Sequence, residues 1–372
     1  MNFYNFRFSW RELFSFAISL ITVVKKGVFI GGPSVEFFEN EFSEIVGSES
    51  TVSCANGFDA LRLAIRSSEF PANSHIAVSA HTFFATWLAI IEEGFIPIGI
   101  DAQFSTGQMD PIQLEKALAA DSKIKAVIYV HMHGIAGEIE KIASLCREYK
   151  VSLIEDCAQA HGLEISGKHV GTFGAFGTFS FYPTKNVSAF GDAGCVISGK
   201  SYQNKLRTLA NYGWGPGNRE IHLEKGLNSR LDTVQAEFLR ISLKNLSRNN
   251  RRRSEIAGDY IDFLKRYPEI KILGNLDNSV WHHFTILVEK RDEFVTFMKS
   301  RNVPCQIHYR IPCHLQPATA GLKELVNYQI GDFPVTEKIS NQIVSLPMHP
   351  WLTDSEVNLV IESVREWCDF VG

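Results

Sequence analysis

Lys185 stands in Tyr182-Pro183-Thr184-Lys185-Asn186, a short proline-containing turn directly after an apolar run at 177–181. Lysine is seldom taken out of water without a task, and one such task is nucleophilic attack on a carbonyl. A surface loop lysine is the plainer reading. Glu155-Asp156 close a second apolar run, at 151–154. A carboxylate there is costly to desolvate unless it meets a partner charge or a metal. The nearby histidines are not at a zinc spacing, so no metal is expected. After a run at 51–54 comes Asn56-Gly57-Phe58, a sharp turn with a helix pattern starting at once. The free N–H groups of Gly57 and Phe58 would then make an anion site, or simply an ordinary strand–helix turn. Neither a G-x-G-x-x-G fingerprint nor a Walker loop is present. After a run at 75–78 comes Thr82-Phe83-Phe84. An aromatic ring here can stack on a planar ligand or pack in the core.

These four features share a position, and the elements around them explain why. Further apolar runs lie at 95–100, 126–130 and 195–197, with helical patterns at 59–65, 111–119 and 139–149 between the runs. Such alternation predicts an α/β fold, a mostly parallel central sheet with helices on both faces. Ligands of such sheets sit at the C-terminal strand ends, where all four features fall. An anion cradle, a stacking aromatic, a buried Asp and a loop Lys are together the parts needed to hold pyridoxal 5′-phosphate (PLP). Lys185 would bind the aldehyde and Asp156 the pyridine nitrogen. Phe83 would cover the ring, and Gly57, Phe58 and Ser180 would take the phosphate. Beyond Arg230 the pattern changes to one long helix over 233–264, whose Arg248, Arg251, Arg252 and Arg253 read as a solvated face. A strand at 281–289, a helix at 291–301, a strand at 304–309 and a closing helix at 353–370 then suffice for a smaller C-terminal α/β domain. The expected division is 1–245, an N-terminal arm and large PLP-binding domain, and 246–372, the small domain.

Composition removes other classes. A chain of 372 residues is long enough for two domains and a large core. A net charge of −4 gives no electrostatic reason to expect nucleic acid or an anionic membrane as partner. The seven cysteines are scattered, without a C-x-x-C pair, as expected of buried thiols in a reducing, cytoplasmic setting. The apolar stretch 13–24 is too short to span a bilayer and reads as a packed helix.

Several longer motifs occur in order: Gly31-Gly32-Pro33-Ser34-Val35-Glu36-Phe37-Phe38-Glu39, Asn56-Gly57-Phe58-Asp59-Ala60-Leu61, Thr82-Phe83-Phe84-Ala85-Thr86, Ile154-Glu155-Asp156-Cys157-Ala158-Gln159-Ala160-His161-Gly162, Phe179-Ser180-Phe181-Tyr182-Pro183-Thr184-Lys185-Asn186, Gly226-Leu227-Asn228-Ser229-Arg230-Leu231-Asp232 and His308-Tyr309. With them the chain resembles the DegT/DnrJ/EryC1/StrS family of PLP-dependent nucleotide-sugar aminotransferases, of fold type I. The resemblance implies that Lys185 is the Schiff-base lysine and Asp156 the pyridine partner. It places Gln159 near the ring hydroxyl, Ser180 at the phosphate, and Asn228 across a homodimer interface at the partner's phosphate, so that the active sites are shared. It places Tyr182, His308 and Tyr309 around the sugar, and Arg230 or Arg219 could meet the nucleotide diphosphate. Phe58 departs from a common Thr and His133 from a common Tyr.

The implied reaction moves an amino group from L-glutamate to a keto-6-deoxy sugar nucleotide. Tyr182-Pro183-Thr184-Lys185-Asn186 followed by Gly191-Asp192 resembles members acting at C3 of a dTDP-3-keto-6-deoxyhexose. A C4 enzyme and a PLP-binding regulatory protein without turnover remain alternatives. A sugar 3-dehydratase of the same family, which carries histidine in place of the lysine, is opposed by Lys185.

Overall fold

The computed structural model of the chain describes residues 1–4, 9–215, 217–322 and 327–371. Two helices, α1 (Trp10–Lys26) and α2 (Pro33–Val46), precede a sheet formed by β1 (Ser50–Cys54), β2 (His75–Ser79), β3 (Ile96–Ile100), β4 (Ile124–Val130), β5 (Ser152–Asp156), β8 (Phe176–Ser180) and β9 (Gly194–Ser198), with the short hairpin β6 (Glu164–Ile165) and β7 (Lys168–His169) inserted before β8. The strand order is β1-β9-β8-β5-β4-β2-β3. β9 runs antiparallel to both its neighbours, and the pairs β2–β3, β2–β4, β4–β5 and β5–β8 are parallel. The six strands other than β9 therefore deliver their C-terminal ends to one edge.

Helices α3 (Gly57–Ser67), α4 (Phe84–Glu92), α5 (Pro111–Ala120), α6 (Ile139–Glu148) and α7 (Gln203–Ala210) cover the sheet. Period-two alternation divides each central strand between two cores. Ala126 and Ile128 of β4 face a core with Leu61, Trp87 and Leu206, while Val127 and Tyr129 face one with Leu114 and Ile142. In β9, Val196 takes the first side and Cys195 and Ile197 a core shared with Phe38 and Phe42 of α2. The hairpin β10 (Trp214–Gly215) and β11 (Asn218–His222) follows α7, and Pro216 lies outside the described residues.

The expected long helix is two. α8 (Thr233–Lys244) and α9 (Leu246–Leu264) meet at Asn245 (φ −95°, ψ −7°), whose N–H bonds back to Ser242 O at 3.0 Å and whose amide donates to Ile241 O. An Asn side chain that competes for helical carbonyls ends a helix in this way. Nor is the arginine run all solvated. Arg248 is exposed, but Arg253 is buried and donates from Nη1 to the carbonyls of Trp281 and Met348 at 3.0 Å each. Carbonyls left over at strand ends need donors, and a guanidinium supplies several.

After α9 come β12 (Lys271–Ile272), β13 (Phe284–Leu287), α10 (Arg291–Ser300), α11 (Pro334–Gln342), β14 (Ile343–Leu346) and α12 (Asp354–Val371). They enclose a separate core that includes Tyr260, Trp281, Phe284, Phe294 and Trp367. The strand expected at 304–309 is reduced to one bridge, Gln306 to Ser345. The third strand of that sheet is β14, and its even burial, without alternation, hid it. α1 packs Phe16 edge-on against Phe238 of α8, at 5.1 Å between ring centroids, yet it buries little besides. Trp10 and Phe14 are 87% and 70% exposed, so the packed helix expected here has one covered side.

Candidate active site

The strand ends surround an open cavity of about 520 Å³ lined by Gly57, Phe58, Phe83, Asp156, Gln159, Ser180, Tyr182, Lys185 and Tyr309 among others. Nine of the residues singled out from sequence thus meet in one place. At its floor, Asp156 is the last residue of β5 and is buried. Its Oδ2 accepts from Thr86 Oγ1 at 2.9 Å and its Oδ1 from Ala158 N–H at 3.1 Å. Burial raises its carboxyl pKa, and these donors and the Lys185 charge work against that rise. Lys185 closes a turn in which its N–H bonds to Tyr182 O at 2.8 Å. Burial lowers its amine to about 8, with the Asp156 charge opposing.

One end of the cavity is an anion cradle. Asn56 caps α3 by accepting from Asp59 N–H at 2.8 Å, which leaves the first-turn N–H groups of Gly57 and Phe58 for a ligand. The helix start lies against the end of β8. A Cβ on Gly57 would sit 2.5 Å from Ser180 Cβ, and a Cβ on Gly194 2.4 Å from the Asn56 carbonyl. Only glycine permits this approach, which also brings the Ser180 hydroxyl to the cradle. Phe58 packs into the core beneath, with the Arg62 guanidinium 5.6 Å from its ring centre, and lines the cavity beside Gly57. At the mouth, the half-exposed ring of Phe83 lies 5.3 Å from Tyr309, and Tyr182 is half-exposed beside the lysine turn.

Gln159 is oriented from behind. Its Oε1 accepts from His133 N–H at 2.6 Å, which commits the amide oxygen and leaves the NH₂ group on the side of the Tyr309 hydroxyl. His133 has φ +63° and lies in a buried group with His81, His282, His283 and His308. Burial pushes all five imidazoles down, so they are neutral at physiological pH. His308 belongs to this group and not to the lining. Its Nδ1 lies 2.7 Å from Ser345 Oγ and its ring stacks on His283 at 3.9 Å.

Asn228, Arg219 and Arg230 also lie elsewhere. Asn228 is exposed and bridges Asn211 through its backbone. Arg219 and Arg230 line a second cavity of about 510 Å³ with Glu39, Ser53, Arg207 and Trp214. Arg230 donates to Asn211 Oδ1 at 2.9 Å and stands 5.2 Å over Tyr212, and Arg219 stands 5.4 Å over Trp214.

Four lining or supporting residues had no role from sequence. Thr86 holds Asp156. Asn186 pins the lysine turn, donating to Asn250 Oδ1 at 2.9 Å and Val280 O at 3.1 Å. Met132 and Asp192 line the cavity. Thr86 and Asn186 stand within the quoted motifs, which was the available signal for them; Met132 stands in none. Glu155, beside Asp156, faces the other side of β5. It accepts from the N–H groups of Gly171, Phe173 and Gly174 at 2.7–2.8 Å and from His131 Nε2 at 3.0 Å. His131, Glu155 and Cys157 place ligand atoms within 4.8 Å of one another, but those four donors already occupy the carboxylate.

An anion cradle, a buried carboxylate that accepts two hydrogen bonds and a lysine of lowered pKa fit the phosphate, pyridine nitrogen and aldehyde of PLP. The model of the DegT/DnrJ/EryC1/StrS aminotransferase family matches residues 16–365. The chain belongs to this family. It is therefore a PLP-dependent aminotransferase of fold type I. A dTDP-3-amino-3,4,6-trideoxy-alpha-D-glucose transaminase of Streptomyces venezuelae is 35% identical over 95% of this chain and 92% of its own. DesV of S. venezuelae, solved in complex with a ketimine intermediate, superposes with a TM-score of 0.90 at 34% identity, over 96% of this chain and 95% of that one. NtdA of Bacillus subtilis, solved with bound cofactor PMP, gives 0.89 at 26% identity, over 96% and 82%.

Proposed function

We propose that this aminotransferase moves the amino group of L-glutamate to a keto-6-deoxy sugar nucleotide, at C3 of a dTDP-3-keto-6-deoxyhexose. The observation that carries the reaction is that Lys185 and Asp156 line one cavity that ends in the free N–H groups of α3 and Ser180. When bound there, PLP supplies an electron-accepting ring and carries the amino group between substrates. The N–H groups of Gly57 and Phe58 and the Ser180 hydroxyl hold its phosphate, Phe83 covers the ring, and Gln159 turns its NH₂ toward the ring hydroxyl. Asp156 holds a proton on the ring nitrogen. Lys185 Nζ, lowered to about 8, is partly free amine near neutral pH and takes the proton from the α-carbon of glutamate. The same amine returns a proton to the sugar carbon in the second half.

Tyr182 and Tyr309 stand at the mouth and would limit which sugar carbon reaches Lys185. A misplacement of about 1 Å there costs about two orders of magnitude in rate. The S. venezuelae transaminase, named for a 3-amino sugar, supports C3, as does the Tyr182–Asn186 loop.

A homodimer with shared sites is part of this reading. It is supported by the exposed apolar side of α1 with Phe29 and Phe37, and by Arg219, Arg230 and Asn228 lying away from their own chain's cavity. Residues 1–245 would then be arm and PLP-binding domain and 246–372 the small domain, as the separate second core supports. All seven cysteines are free, in keeping with the cytoplasm, and no helix among the described residues is long and apolar enough to cross a membrane. The test offers 3-keto and 4-keto dTDP-6-deoxyhexoses with glutamate and locates the new amine by NMR. Exclusive amination at C4 would overturn the C3 assignment, and no amination of either would overturn the substrate class.

A further inference from the structure

Thr86 lies in the first turn of α4, buried to 1% exposure, and Thr82 just before it to 4%. Their hydroxyl oxygens are 3.2 Å apart, and Thr86 Oγ1 is 2.9 Å from Asp156 Oδ2. An ionised carboxylate can only accept, so the one Thr86 proton goes to Asp156. Thr86 then offers lone pairs to Thr82, which must be the donor. The order of the chain Thr82 to Thr86 to Asp156 is thus dictated by the charge at its end. Threonine is a middling helix former, so the helix does not account for its presence. Asp156 reaches solvent poorly. A neutral carboxyl there would lack the negative charge that favours a proton on the ring nitrogen, and its remaining lone pairs would be a weaker acceptor for it. Besides the Ala158 N–H, the groups acting on it are the Lys185 ammonium and His131.

We propose that Thr86 is a positioning residue of the reaction: its O–H, set in direction by Thr82, keeps Asp156 ionised and aims it at the ring nitrogen of PLP. This rests on the assignment of Asp156 above. Thr86→Val removes the O–H at nearly constant shape, and Thr86→Ser keeps it. Hydrogen bonds to charged groups are strong enough that the loss should read as about a ten- to hundredfold fall in kcat.

The test uses holoenzyme carrying PLP labelled with ¹⁵N at the ring nitrogen. Thr86→Val should shift that resonance toward the unprotonated value and lower kcat, with KM for glutamate changed less than about threefold. Thr86→Ser should recover most of both, and Thr82→Val should move both the same way by less. If Thr86→Val fails to fold, Thr86→Ala removes the same O–H without placing a methyl against the strand. A wild-type resonance and kcat in Thr86→Val, beside an Asp156→Asn variant that loses both, overturns the inference and leaves Asp156 in its role. A wild-type resonance in Asp156→Asn as well overturns the assignment of Asp156 itself.

Discussion

The two cavities are nearly equal in size, about 520 and 510 Å³, and opposite in construction. The first sits where parallel strands end. Backbone geometry brings its residues together, and its central carboxylate, Asp156, is buried and held by donors from the fold itself. The second lies between α2, α7 and the β10–β11 hairpin. There Glu39 and Arg207 pair at 2.6 Å, while Arg219 and Arg230 stack on aromatic rings and form no ion pair among the described residues. The first cavity is arranged for chemistry on one cofactor. The second offers cations that the chain leaves without counter-charge, which suits a phosphorylated part of a substrate and not a reacting centre. If so, damage to the first should strike the chemical step, and damage to the second should strike binding.

The sharpest division is Lys185→Ala, which should abolish turnover with glutamate and any keto acceptor while leaving the thermal midpoint within about 2 °C. Measurable steady-state turnover would remove the lysine from the mechanism. In the unmodified apoprotein, the rate of PLP uptake should rise with pH through about 8, not through the ordinary lysine range, because burial has lowered the amine. Since that folded value lies below the unfolded one, the group's stability contribution is present above about 10 and is lost as pH falls through about 8.

Asp156→Asn comes next, with kcat lower by about two to three orders of magnitude. Its effect on folding should have the other sign. Burial raises the Asp156 carboxyl above its unfolded value, so its contribution is intact below about pH 4 and is lost as pH rises through the folded value. The apo variant should melt no lower than the parent at pH 7.5, in differential scanning calorimetry, and the gap should close in acid. A marked destabilisation at pH 7.5 would make Asp156 a structural residue.

Arg230→Ala should raise KM for the sugar nucleotide about ten- to a hundredfold, leaving the glutamate half-reaction near its original rate in single-turnover absorbance. An equal loss in both halves would erase the contrast between the cavities. Gly57→Ala should have the smallest effect, about 1–3 kcal/mol of stability from the clash with Ser180, together with weaker PLP retention in dialysis. Full retention would move the phosphate away from α3.

The adjacent acids show how far local pattern reaches. Glu155-Asp156 at the end of an apolar run announces a buried carboxylate but does not say which one serves the site. Alternation along β5 decides it: Asp156 faces Lys185, and Glu155 faces the 171–174 loop, where three N–H groups and His131 consume it. The arginine run at 248–253 fails similarly, because only packing against Trp281 and Met348 distinguishes Arg253 from its solvated neighbours. His308 joins a histidine cluster drawn from segments more than 200 residues apart, and no local spacing encodes that.

The strands of the central sheet, the strand-end location of Lys185, Asp156, Gly57 and Phe83, and from these the cofactor, follow from the sequence alone, because apolar periodicity and turn residues act over a few neighbours. The position of β14, the Thr86 hydroxyl on Asp156 and the separation of Arg219 and Arg230 from the lysine cavity were decided by the tertiary structure. Each depends on which distant surfaces exclude water from one another, and that free energy belongs to the packed whole and to no single segment.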